Sequence, residues 1–140
     1  MNTLWSHHGS ENAKSGVTKL FLIAILMALA ACAAIGVGTP EQQVMERAQA
    51  RWDALVRGDY KAAYAYLSPG SRQVQSEKDY VNSLRRGFWK AAKVEKATCE
   101  QARCEVQATI EYEFQGQRIK SPLRETWIRE GSDWWYVLRA

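Results

Sequence analysis

Apolar positions along this chain recur every three or four residues up to about Gly87, and every second residue after it. The first stretch predicts three helices. Thr39-Pro40-Glu41-Gln42 has the form of a capped helix start, with a hydroxyl at the cap, proline at the first helical position and a glutamine that can reach back. Val44, Ala48, Trp52 and Leu55 then form a stripe that Gly58 ends. Asp59 caps a second helix carrying Tyr60, Ala63, Tyr64 and Leu67, and "SPGS" at 68–71 breaks it. Ser76 with Asp79 caps a third, with Tyr80, Val81 and Leu84 on its apolar side.

The clearest strand is 104–114. Cys104, Val106, Ala108, Ile110, Tyr112 and Phe114 alternate with Glu105, Gln107, Thr109, Glu111 and Glu113, which is one buried and one wet face. Residues 88–99 supply its hairpin partner. Gln115-Gly116 turns into a third strand near 118–129, expected to bend or bulge at Pro122, and Glu130-Gly131-Ser132 turns into "DWWYVL". Helices followed by a four-strand meander predict an α+β domain, with the N-terminal helices packed on one face of an antiparallel sheet.

Ahead of this domain, residues 20–31 form an unbroken apolar run preceded by Lys14 and Lys19. A basic flank, a short apolar segment and small residues at its end have the form of a secretory signal. The run closes on Leu29-Ala30-Ala31-Cys32, which resembles a bacterial lipobox. That resemblance implies a signal peptide over 1–31 and lipidation of Cys32. It also implies a lipidated tether over 32–39 and anchoring in a lipid bilayer. Ala33 and Ala34 follow the cysteine with no aspartate, which in such lipoproteins implies the periplasmic side of the outer membrane. The alternative is a retained transmembrane helix over 20–37, at the lower limit of a span, anchored in the inner membrane. Both readings place the domain outside the cytoplasm, by the bias of basic residues toward the inside.

Composition narrows the chemistry. The chain carries a formal charge of +4, and the signal segment accounts for Lys14, Lys19 and Glu11. Both histidines, His7 and His8, also fall in that segment. The domain beyond it therefore has no histidine base, no Ser-His or Cys-His nucleophile pair and no histidine metal site, and no cofactor is implied. Cys99 and Cys104 are separated by four intervening residues across a predicted turn. Opposed hairpin residues lie about 4.5–5.5 Å apart, and an exported domain meets an oxidising compartment, so a Cys99–Cys104 disulfide is expected. A zinc site would need a second ligand pair, which the sequence lacks.

The order of elements, the helical pair in "RWDALVRGDYKAAYAYLSP" and the tryptophan-rich last strand resemble the nuclear transport factor 2-like superfamily, over residues 40–140. The resemblance implies a cone, in which a curved sheet wraps the first helix and often leaves a pocket. It implies two kinds of function, since members include ketosteroid isomerases and polyketide cyclases as well as non-catalytic binding domains.

Glu125 shares a strand face with Leu123 and Trp127. If that face is concave, Glu125 with Tyr60 or Tyr64 could move a proton beside a carbonyl. Otherwise Glu125 pairs with an arginine on a wet face and the tyrosines belong to the core. Trp134 and Trp135 must face opposite ways, so they cannot share one core. With Trp127 they are the candidate binding residues, for a small apolar ligand, an envelope protein or a second copy in a homodimer. Arg85, Arg86, Lys90, Lys93 and Lys96 make 84–96 basic. Outside the cytoplasm a nucleic-acid partner is excluded, leaving an acidic protein, anionic lipid head groups, or a charged edge strand that resists pairing. The first expectation is an envelope lipoprotein with a non-catalytic ligand- or partner-binding domain. A pocket enzyme and an accessory subunit of an envelope complex are the alternatives.

Overall fold

The structure is a computed structural model that describes residues 38–139. Cys32, the signal segment 1–31 and the tether up to Val37 lie outside the described residues.

The first helix, α1 (Pro40–Arg57), starts where the sequence places it. The Thr39 hydroxyl accepts the Gln42 N–H at 3.3 Å, and the Gln42 side chain accepts the Thr39 N–H at 2.9 Å. Gly58, at φ 79°, closes it in the left-handed conformation that glycine adopts without penalty. The predicted stripe of Val44, Ala48, Trp52 and Leu55 is buried, and Arg51 is buried with it.

Three short helices follow: α2 (Tyr60–Tyr64), α3 (Pro69–Val74) and α4 (Glu77–Ser83). Asp59 and Ser76 cap α2 and α4 as expected. The segment 68–71 differs. α2 already ends at Tyr64, ahead of this segment, and the segment itself begins a helix, with Ser68 as cap and Pro69 in the first turn. Leu67 leaves the helical path because the backbone beside it pairs with the last strand. Ser68 N–H donates to the Tyr136 carbonyl and Tyr136 N–H to the Tyr66 carbonyl, both at 2.8 Å. Burying Leu67 completely contributes about 1.5–3 kcal/mol, which fixes this crossing in place.

The sheet is a meander in the order β1 (Trp89–Glu100), β2 (Arg103–Phe114), β3 (Gln117–Glu130) and β4 (Asp133–Val137), antiparallel throughout. The α+β class with helices against a four-stranded antiparallel sheet is therefore the one that the pattern predicts. Gln115 and Gly116 both have positive φ, the turn geometry that matches strand twist in a two-residue hairpin. Cys99 and Cys104 are register partners and form the expected disulfide.

Two details of the sheet depart from the sequence reading. The register of β2 with β3 runs unbroken through Pro122, so there is no bulge there. β4 pairs only as far along as Thr126, so one flank of β3 is open at Pro122, and a missing N–H is tolerated on an open flank. The irregularities fall in β1, between Trp89 and Ala91 and between Val94 and Lys96. Each extra residue changes which face its neighbours occupy, so Val94 and Ala97 both point inward although they stand three apart.

α1 runs antiparallel to β1 across the inner face. Gln49 accepts the Val94 N–H and donates to the Ala92 carbonyl, and Trp52 meets Trp89 edge-on at 6.1 Å. Farther on, the Tyr60 hydroxyl accepts the Gly87 N–H. The start of α1 and the 84–88 loop therefore lie at opposite ends of the domain.

Candidate functional site

The midpoint of α1 faces the midpoint of β3, and each contributes a charge. Arg51 Nη1 donates to Glu125 Oε1 at 2.8 Å, with side-chain exposures of 5% and 2%. The second carboxylate oxygen accepts the Trp127 indole N–H at 3.1 Å. The guanidinium carbon stands 3.8 Å from the Tyr136 ring centroid and 5.3 Å from that of Trp52, and Nη2 reaches the Tyr80 hydroxyl at 3.5 Å. An ion pair is thus enclosed by four aromatic side chains. An apolar shell of this kind strengthens the attraction between the charges but also penalises taking them out of water.

Protonation follows from these contacts. Burial works against the Arg51 charge, but Glu125, Tyr80 and Tyr136 outweigh it and hold the guanidinium above its ordinary value. Burial pushes the Tyr136 phenol up. Arg51 opposes this and Glu125 and Tyr80 add to it, so the net direction is upward. Arg51 Nε and the indole N–H groups of Trp52 and Trp134 are buried with no acceptor among the described residues. Each such donor costs about 1–3 kcal/mol, and only a well-packed interior sustains three of them.

Glu125 does lie on the inner face, but its oxygens are taken by Arg51 and Trp127. The arginine pairing expected of a wet face is found on the dry one. Tyr60 and Tyr64 are not turned toward the carboxylate. The Tyr60 hydroxyl holds the 84–88 loop through Gly87, and the Tyr64 hydroxyl donates to the Gln75 carbonyl at 3.0 Å. A carboxylate that is 2% exposed and bonded at both oxygens is placed to organise a core rather than to take a substrate proton. Sequence reasoning missed Arg51. The signal was its spacing, since it falls three residues after Ala48 and four before Leu55, inside the apolar stripe.

The three candidate tryptophans separate. Trp127 and Trp134 are core side chains, at 0% and 1% exposure. Trp135 is half-buried on the other side of β4, with its indole N–H donated to the Glu130 carbonyl at 3.2 Å. Two guanidiniums approach its ring, Arg47 and Arg72, each at 5.1 Å. Arg47 also lies 5.3 Å from the Tyr66 ring and pairs with Asp133 at 3.3 Å. This is a cation–aromatic patch at the junction of α1, α3 and β4. The basic run divides as well: Arg85, Arg86 and Lys90 crowd the end of the domain, while Lys93 and Lys96 are exposed along β1.

Among the described residues no helix is long and apolar enough to cross a membrane, and no group of three or more metal-ligating side chains comes together. No protein-family model matches the chain, and no curated protein matches it in sequence. Solved structures do. A SEC-C motif containing protein from Rhodopseudomonas palustris superposes with a TM-score of 0.52 at 12% identity, over 63% of this chain and 70% of that one. A SEC-C motif containing protein from Psychrobacter arcticus gives 0.55 at 12% identity, over 76% of this chain, which spans 63% of that one. A chain from Campylobacter jejuni described as an NTF2-like transpeptidase aligns at 13% identity over 67% of this chain and 96% of that one, with a TM-score of 0.47. The first two likenesses are of fold; the third is too loose to carry an argument.

Proposed function

We propose that this chain is an envelope lipoprotein, acylated at Cys32, whose domain is of the nuclear transport factor 2-like type and binds a partner rather than catalysing a reaction. The observation that carries the reading is the closed Arg51–Glu125 pair. The acid that a pocket enzyme of this shape would use is neutralised inside the fold. Function then belongs to the surface. There the best-formed feature is Trp135 with Arg47, Arg72 and Tyr66, because a half-buried indole flanked by guanidiniums offers both apolar area and charge. The lipobox-like end of the apolar run supports the anchor, and the order of helices and strands supports the fold type.

The test is native mass spectrometry of the full chain extracted from its own membranes, with and without Trp135→Ala. Expected are added lipid mass on Cys32 and a complex with a second protein or second copy that the substitution dissolves. A stoichiometric small molecule in place of a protein partner would overturn partner binding, and an unacylated Cys32 would overturn the anchor.

A further inference from the structure

The 84–88 loop and the β2–β3 turn come side by side at the end of the domain where α1 terminates. Between them lies a shallow, open cleft of about 290 Å³, lined by Arg85, Arg86, Lys90, Glu113 and Gln115 among others. Its one acid is already matched, because Glu113 forms an ion pair with Lys90 at 3.6 Å. Among the described residues neither arginine has a carboxylate partner, so their charge is left over. Arg85 lies 4.8 Å over the Phe88 ring, and Phe88 stacks on Tyr112 at 4.8 Å and 20°, so aromatic stacking holds one cation in position. The loop is itself fixed, since the Gly87 N–H is held by the nearly buried Tyr60. Phe114, which stands between the lining residues Glu113 and Gln115 along the chain at the end of β2, is 49% exposed, one of two large apolar side chains left so open among the described residues.

One stacked guanidinium with a second arginine beside it, over a small polar depression, suits an oxyanion, and guanidiniums suit phosphate in particular. An exposed aromatic next to them suits the boundary between head groups and acyl chains. We propose that this tip seats the phosphate of an anionic phospholipid headgroup, with Phe114 entering the acyl boundary. The inference stands on the cleft and does not depend on acylation of Cys32 or on the Trp135 patch.

The experiment is nitrogen-15 NMR on the full chain in neutral detergent micelles. It is titrated separately with short-chain phosphatidylglycerol, short-chain phosphatidylcholine and inorganic phosphate. Phosphatidylglycerol is expected to shift the amides of residues 85–90 and 114–116, and phosphatidylcholine is not. Arg85→Gln with Arg86→Gln should weaken that binding about 30-fold, from the usual contribution of two basic residues at an anionic surface. Both arginines are exposed, so unchanged amides elsewhere will show that the variant is folded. Phe114→Ser should weaken the lipid and leave phosphate unaffected. Silent tip amides, equal binding of the two lipids, or an unweakened arginine variant would each overturn the proposal. Phosphate binding as tightly as phosphatidylglycerol, with no effect of Phe114→Ser, would overturn the lipid source in favour of a free oxyanion.

Discussion

Arg51 and Arg85 both lie over aromatic rings, at 3.8 Å from Tyr136 and 4.8 Å from Phe88. Arg51 is enclosed and has its carboxylate at 2.8 Å; Arg85 is exposed at the rim of a cleft whose acid belongs to Lys90. The same side chain is a component of the core in one place and an unmatched surface charge in the other. Position on the element makes the difference. Arg51 falls in the inner stripe of a long helix opposite the middle of β3, whereas Arg85 falls in a loop beyond the last helix turn.

Removing one partner of the interior pair separates the two regions most sharply. Arg51→Met leaves Glu125 buried without its cation and should destabilise the domain by about 3–5 kcal/mol in urea unfolding. Arg51→Met with Glu125→Leu should recover most of that loss, because a buried pair is often replaceable by apolar side chains. A double variant as unstable as the single one would mean that the pair holds more than its own charges.

The disulfide has the next largest effect. It lies at the end of the sheet away from the arginine tip, and Cys99→Ser with Cys104→Ser should lower stability by about 2 kcal/mol, seen as a lower Tm. The tip amides should keep their shifts.

The third effect is of pH. The folded Tyr136 phenol holds its proton more tightly than the unfolded one, so its contribution is complete below the ordinary tyrosine value of 10.0. It is lost as pH rises from there through the raised folded value. Stability measured across the alkaline range should fall, and Tyr136→Phe should make that fall shallower. Arg85→Gln with Arg86→Gln comes last, within about 0.5 kcal/mol of the parent, as exposed substitutions usually are. A larger loss would mean that the tip, like Arg51, supports the fold.

The pattern of the sequence revealed some of this directly. The alternation in 104–114 identifies the inner face of β2, and Cys104, Val106 and Ala108 are buried as that alternation requires. The capping residues Thr39, Asp59 and Ser76 announce three helix starts because each cap is a local contact between neighbours. The inner face of β1 was not legible, because the two register shifts break its parity and nothing local marks them. Arg51 was hidden for a different reason. An arginine is ordinarily a surface residue, and only the carboxylate 74 positions away makes its burial tolerable. Trp134 and Trp135 were correctly set on opposite faces, but only the register with β3 and the crossing at Leu67 decide which of them is inside.

The antiparallel run of α1 and β1 gives the domain two poles. The chain joins it at Thr39, and the arginine tip lies beyond the far end of a helix about 27 Å long. Any surface that holds the polypeptide at its amino end therefore meets the tip across the length of the domain, as a stalk displays its head.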